Sequence, residues 1–434
     1  MRVKERDLRS FILEEKLRGN VITIEEKINA RYQAAELIKE YDGSKTVVFK
    51  NIDDKPFKVV ANTIYDREQL LRVLNAKSHS EAYKKLLDAC ENPRELEKAD
   101  KPAEFKVFKG TLHDLPVLTF YRGDGGPYIT AGIVVARDEE LNFQNMSIHR
   151  LLVLDEKRMA IRIVPRHLHL ILEKKKERGE DLEIAIIVGV HPILLLAAAS
   201  SPPYGIDEAK VAAKLLGGLT VFKSELTNLL LPVTAEIIIE GKILHDEEEE
   251  EGPFVDITGT RDIVRRQPVV EVDRILVRGD RPIYQTILPA GTEHRLFMGF
   301  YREAKIWKNV REVVPSVREV RLTSGGCGWL SCVISIRKKN EGDPKNAILA
   351  AFSAHPSLKM VTIVDEDIDV DNPVEVEWAI VTRMQPEEDL LIIPRIRGSS
   401  LDPSADQRTL LTSKLGIDAT IPLDKPREHF IKVI

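Results

Sequence analysis

Two carboxylates, Glu251 and Asp256, stand on either side of Gly252-Pro253-Phe254, at the end of an acidic run that begins at Glu247. Acids held apart by a rigid turn can be driven to different proton affinities, so that one stays ionised while the other carries a proton. That is the equipment of general acid–base chemistry. A run of glutamates is otherwise a solvated surface loop, and Glu247 to Glu250 are assigned nothing beyond that. Upstream, Arg150 carries a planar fork of donors that can grip Glu251 or the carboxylate of a substrate; a structural ion pair is the plain alternative.

Asn145, His167 and Glu208 offer two oxygens and one imidazole nitrogen, a set that suits Mn2+ or Mg2+ better than Zn2+. Each also has an ordinary reading: Asn145 as a turn or cap residue, His167 near a helix start, Glu208 as a first-turn acid complementing the helix dipole. Ligands tens of residues apart cannot be joined by spacing rules. Lys359, just ahead of the apolar run Met360 to Val364, could meet a phosphate as a point charge or simply be solvated at a strand edge. His149 and His169 find no partner in the sequence and read as structural.

The elements that must position these groups follow from hydrophobic period and turn residues. Up to about residue 100 the pattern is α+β: a helix through Leu8, Phe11, Ile12 and Leu17, a second helical pattern from Ile28 to Tyr41, then short strands at Thr46 to Phe49 and Phe57 to Val60. From Phe105 the chain is strand-rich, with Ala131 to Ala136, Ala160 to Val164 and Ile184 to Val190 as buried strands. Helices are expected from His167, over Leu194 to Ser200, and from Asp207-Glu208. Beyond about residue 300 strand and helix alternate, and the end reads as loop-like around Arg397 to Pro403, ahead of Lys414 to Thr420.

A chain of 434 residues with 43% hydrophobic content can build two or three cores. Its 64 basic and 69 acidic residues are intermixed and leave a net charge of −5, which excludes the electrostatic footprint of a general nucleic-acid binder. Cys90, Cys327 and Cys332 show neither metal spacing nor a disulfide framework; they fit a reducing cytosol and small apolar core positions. No apolar stretch approaches a spanning helix, and the charged start is no signal peptide, so a cytoplasmic protein without a membrane partner is expected.

Five stretches, Asn145-x-Ser147-Ile148-x-Arg150, Pro165-x-His167, Gly205-Ile206-Asp207-Glu208, Glu251-Gly252-Pro253-Phe254-x-Asp256 and Lys414-Leu415-Gly416-Ile417-Asp418-Ala419-Thr420, together resemble the UbiD-like decarboxylases in order and interval. The likeness covers most of residues 105 to 420. It implies an α+β fold of three domains: an N-terminal α+β domain over 1–104, a central split β-barrel related to flavin reductases over 105–299, and a C-terminal α/β oligomerisation domain over 300–434. It further implies prenylated FMN, supplied by a flavin prenyltransferase, and non-oxidative loss of CO2 from an unsaturated or aromatic acid. By the same resemblance, Asn145, His167 and Glu208 match the ligands of a Mn2+ that holds the cofactor phosphate, and backbone near Ala197, Ala198 and Ser200 is similar to a K+ site. Ser147, Ile148 and Arg166 would lie along the cofactor, and Lys359 would contact its phosphate.

Arg150, Glu251 and Asp256 match the family's network on the substrate side of the flavin. Arg150 would orient the substrate carboxylate and sustain Glu251 as an anion, and Asp256 would hold the proton that replaces CO2. Several members carry glutamate where this chain has Asp256; one methylene less moves the carboxyl by about 1.5 Å and bears on substrate size. Chain length and charge-rich composition resemble the archaeal branch, for which the expected reaction converts trans-anhydromevalonate 5-phosphate to isopentenyl phosphate in isoprenoid synthesis. A 4-hydroxybenzoate-type aromatic acid is the alternative substrate, and a flavin-binding oxidoreductase or non-catalytic flavoprotein the alternative of another class. A homodimer or higher homo-oligomer is expected.

Overall fold

The Ile- and Val-rich segments between Tyr128 and Arg278 suit a sheet covered on both faces, because β-branched side chains pack well on a pleated, buried surface. In the computed structural model, which describes residues 6–99 and 104–433, six of them form strands. These are β1 (Tyr128–Asp138), β2 (Phe143–Val153), β3 (Arg158–Ile161), β4 (Leu182–Val188), β5 (Ile237–Glu251) and β6 (Arg265–Arg278). They hydrogen-bond antiparallel in the order β5-β4-β1-β2-β3-β6, and β5 also pairs with β6. That last pairing closes the barrel and removes the exposed edges an open sheet would have.

Closure demands that the long strands bend. The register of β5 against β6 slips between Glu240 and Gly241, and a Cβ at Gly241 would lie 2.0 Å from the Glu271 carbonyl oxygen. Only glycine permits that approach at the bulge. Around the barrel, a four-stranded sheet (Val21–Ile28, Thr46–Ile52, Lys58–Ala61, Ile283–Gln285) and the helix Gln33–Glu40 bring Phe49 and Ile38 into one apolar cluster with Phe57, Leu151, Ile186 and Val270. Each such side chain stabilises the fold by about 1.5–3 kcal/mol on burial. Three helices complete the frame of the site: α1 (His167–Lys176), α2 (Pro192–Ser200) and α3 (Glu208–Leu216). Asp207 caps α3 by accepting from the Ala209 N–H at 2.8 Å.

Several segments depart from the sequence reading. The helix expected from Ile28 begins only at Gln33, and Val21–Ile28 is instead a strand parallel to Thr46–Ile52, as its β-branched run Val-Ile-Thr-Ile favours. The acidic run is not a loop. Glu248 to Glu251 continue β5 and pair with Pro268 to Arg265, so that Arg266 and Arg265 stand opposite Glu250 and Glu251. Cross-strand opposite charges make this acidic strand tolerable. Its glutamates are exposed until Glu251, which is buried.

Contacts divide the chain into two units. The first comprises the described residues up to Leu74, with Asp88–Asp256 and Arg261–Phe297; the second comprises Asn75–Leu87, Ile257–Thr260 and the chain from Met298. The second unit has a five-stranded sheet in the order Val317–Leu322, Ser331–Ile336, Met360–Asp365, Leu411–Ala419, Leu390–Arg397, parallel across its three inner strands. The passage expected to be loop-like, Arg397 to Pro403, has no strand beyond Arg397 and is flanked by two, Leu390–Arg397 and Leu411–Ala419, the latter with partners on both sides. Cys90 and Cys332 are buried, whereas Cys327 is partly exposed and does not serve the core. No helix among the described residues is long and apolar enough to cross a membrane.

Candidate active site

Arg150, on β2, is the hub of a buried polar cluster. Its Nε and Nη2 donate to the two oxygens of Glu251 at 2.8 and 2.9 Å, Nη1 donates to Asp256 Oδ2 at 2.6 Å, and Nη2 also donates to Asp262 Oδ2 at 2.9 Å. Glu251 is fully buried at the end of β5 and takes a further hydrogen bond from the Tyr128 hydroxyl at 3.1 Å. The Phe254 ring lies between two of these groups, its centroid 4.6 Å from the Tyr128 ring centroid and 4.6 Å from Arg150 Cζ. The aromatic of the turn is thus a platform for the guanidinium.

The turn itself is held by close backbone contact. Gly252 has φ 110, and the Gly125 N–H donates to the Pro253 carbonyl at 2.8 Å. A Cβ at Gly125 would meet the Gly252 carbonyl oxygen at 2.3 Å. Glycine at both positions lets two loops press together and fixes the separation of the acids.

Charge compensation sets the protonation states. Burial opposes the Arg150 charge, but the hydrogen bonds it donates to Glu251's carboxylate and the charges of Glu251, Asp256 and Asp262 outweigh it and hold the guanidinium charged. Burial likewise works against the Asp262 carboxylate, yet Arg265 at 2.5 Å and Arg150 hold its carboxyl below the usual range. The Tyr128 hydroxyl is pushed up by burial and by the Glu251 charge, so it remains a donor. His294, in the first turn of α4 (Thr292–Val313), accepts from the Ala290 N–H at Nδ1, 3.1 Å away. Burial pushes its imidazole down against the opposing Asp256 charge, and with Nδ1 accepting, Nε2 carries the hydrogen of the neutral ring.

A second cluster gathers Asn145, His167 and Glu208. Glu208 Oε1 accepts from Asn145 Nδ2 at 3.0 Å and lies 3.7 Å from His167 Nδ1, and Oε2 accepts from the Met146 N–H at 2.8 Å. Burial raises the Glu208 carboxyl despite these neighbours. Ser147 Oγ is 3.1 Å from Asn145 Oδ1 and 2.9 Å from His149 Nε2, and His149 Nδ1 lies 2.9 Å from the Arg162 carbonyl oxygen. Burial brings the His149 imidazole down to about 4, so it is a neutral relay that orients Ser147. Among the described residues no group of three or more His, Cys, Asp or Glu could hold a metal; the cluster has two such residues and an amide.

Of the other sequence candidates, Ile148 is half-buried on β2, and Arg166 precedes α1, exposed and without a side-chain partner among the described residues. Ser200 Oγ, at the end of α2, donates to the Ala197 carbonyl at 2.7 Å. Lys359 belongs to the second unit, where its Nζ is 2.8 Å from Asp402 Oδ2 and also bonds Ser404. Sequence reasoning missed Asp262, Tyr128 and His294. Asp262 alone had a signal: it follows Asp256 by six residues and opens the basic Arg265-Arg266 pair.

Models of 3-octaprenyl-4-hydroxybenzoate carboxy-lyase (UbiD) domains match the chain in succession: the N-terminal domain over residues 12–90, the Rift-related domain over 94–292 and the C-terminal domain over 295–419. The anhydromevalonate phosphate decarboxylase of Methanothermobacter thermautotrophicus is 44% identical over 417 residues, 96% of this chain and 97% of that protein. The solved structure of the UbiD-class enzyme HmfF from Pelotomaculum thermopropionicum in complex with FMN has a TM-score of 0.95 at 38% identity, covering 99% of this chain and 97% of that one. An evolved dimeric form of HmfF in complex with prFMN gives 0.89 at 36% identity, covering 98% and 99%. With three domain models in order and a full-length relative at this identity, the chain belongs to the UbiD family.

Proposed function

We propose that this chain is a carboxy-lyase that uses prenylated FMN to remove CO2 from trans-anhydromevalonate 5-phosphate, giving isopentenyl phosphate. The observation that carries this reading is one guanidinium holding two acids, Glu251 and Asp256, across a single turn. The 44% identical relative named anhydromevalonate phosphate decarboxylase supports the substrate. Flavin binding alone has no use for an acid beside a carboxylate clamp, which weighs against a non-catalytic flavoprotein or simple oxidoreductase.

Prenylated FMN, when bound, supplies the sink for the electron pair left as CO2 departs. Ser147, Ile148 and Arg166 line the cofactor. Asn145, His167 and Glu208 would hold Mn2+ or Mg2+ for the cofactor. The donor set fits: Glu208 is 1% exposed and has no lysine or arginine ion pair among the described residues, so a divalent cation would compensate an otherwise costly buried acid. K+ is assigned to the backbone near Ala197, Ala198 and Ser200. Arg150 orients the substrate carboxylate, Glu251 and the Phe254 platform keep Arg150 in place, and Asp256 delivers the proton to the carbon that CO2 leaves.

The domains are read as 1–104, 105–299 and 300–434, the last serving assembly into a homodimer or higher homo-oligomer. A flavin prenyltransferase supplies the cofactor. The test is co-expression with such a prenyltransferase, followed by measurement of CO2 and isopentenyl phosphate from the phosphorylated acid, with a 4-hydroxybenzoate-type acid alongside. CO2 from the phosphorylated acid alone is expected. No release from it, with prenylated FMN verified by mass and absorbance, would overturn the reading.

A further inference from the structure

We propose that Asp262 is a place-holder for the substrate carboxylate on Arg150, and that it transfers one oxygen from Arg150 to Arg162 when an acid docks. The inference rests on the preceding reading, in which an acid binds at Arg150. A guanidinium has five N–H groups. Nε and one Nη2 hydrogen serve Glu251, the other Nη2 hydrogen serves Asp262, and one Nη1 hydrogen serves Asp256. An arriving carboxylate that seeks two-point contact therefore finds Nη2 fully used. It would also be a fourth carboxylate on one arginine, an arrangement that buried charge does not tolerate unless one acid moves away.

Glu251 is the least able to move, being buried, gripped at two points and bonded by Tyr128. Asp262 already has a destination. Its Oδ1 is anchored separately, accepting from Arg265 Nη1 at 2.5 Å and from the Ile263 N–H at 2.9 Å. Only Oδ2 touches Arg150, and Arg162 Nε lies 3.9 Å from that same oxygen. Arg162 Nε makes no hydrogen bond among the described residues; the side chain's only bonds are long ones from Nη1, to the Ile163 carbonyl at 3.3 Å and Gln267 at 3.4 Å. A small combined change in the two Asp262 side-chain torsions can thus bring Oδ2 to an arginine that has no closer acid among the described residues, while Oδ1 keeps its bond to Arg265. Asp262 is a positioning residue in this scheme: it keeps Nη2 aligned and desolvated, then yields it.

The test uses the holoenzyme and the variants Asp262→Asn, Arg162→Gln and their combination. KM for the unsaturated acid and Kd for its saturated, unreactive analogue are measured, with bound cofactor and thermal melting as checks on folding. Asp262→Asn is expected to lower both constants about fivefold, and Arg162→Gln, which removes the destination, to raise both about fivefold. In the double variant the Arg162 effect should disappear, because no carboxylate remains to be drawn to a second arginine. A merely structural anchor would instead raise KM in Asp262→Asn, and general electrostatics would make the two effects additive; either result overturns the inference. Asp262→Ala serves in place of an Asn variant that fails to fold. Normal CO2 release by the wild type with additive variants would reject the exchange and leave the reaction assignment standing. A wild type that neither binds nor decarboxylates an unsaturated acid would remove both.

Discussion

Two buried polar clusters in the same unit deal with charge in opposite ways. Around Arg150 the chain provides its own cation and surrounds it with Glu251, Asp256 and Asp262. Around Glu208 it provides an acid, an amide and an imidazole, and burial raises the acid's proton affinity, with no arginine or lysine ion pair to it among the described residues. The first cluster carries its own counter-charge, and the second acquires one only through the cation proposed for it. A buried acid paired within the chain contributes to holding the fold together, whereas one left for a ligand costs stability until that ligand binds.

The sharpest way to break this contrast is to remove the resident cation. Arg150→Met should leave Glu251 buried without compensation and destabilise the protein by about 3–5 kcal/mol, besides abolishing turnover. Urea unfolding measures it, and a loss under about 1 kcal/mol would mean that the cluster is not self-supporting. Asp256→Asn comes next. It should reduce kcat by roughly 10²–10⁴ while cofactor occupancy stays at the wild-type level, since a positioned acid is lost and the second cluster is untouched. Undiminished kcat would rule out the assigned proton donor.

A smaller effect is expected around Glu208. His167→Ala should weaken divalent-metal affinity by at least about 10-fold, the lower end of what even outer partners of a metal contribute, and prenylated FMN should co-purify in reduced amount. Metal analysis and flavin absorbance read both. Full occupancy in that variant would deny His167 its ligand role and make the Glu208 cluster a structural one.

How much of this was legible beforehand depended on whether the signal was local. The barrel strands announce themselves in β-branched runs such as Ala131 to Ala136, and Glu251, Asp256 and Arg150 were selected by residue type and by the turn between the acids. The closure of the barrel was not legible, because it depends on pairing β5 with β6 across a bulge whose only trace is Gly241. The acidic run misled for a related reason: its compensation comes from Arg265 and Arg266 on the opposing strand, which register alone reveals. Tyr128 and His294 reach the cluster through tertiary packing and carry no spacing signal. Asp262 was visible in type but hidden in role, since the hairpin that sets it opposite Phe254 brings it back to Arg150.

The finest test of the contrast is the acid limb of stability. Although burial disfavours its charge, Asp262 is held ionised by Arg265 and Arg150, so its folded-state proton affinity lies below the ordinary value of 3.8. A carboxyl lowered on folding binds fewer protons in the folded chain than in the unfolded one. Its stabilisation is therefore fully present above the unfolded value and is lost as pH falls through the folded one. Asp262→Asn should flatten the stability curve between about pH 5 and pH 2 by about 0.5–1 kcal/mol and leave the slope near neutrality unchanged. Unfolding midpoints across that range decide the matter: an acid limb parallel to the wild type would mean that Asp262 gains no net stabilisation from its arginines, and the Arg150 cluster would then rest on Glu251 and Asp256 alone.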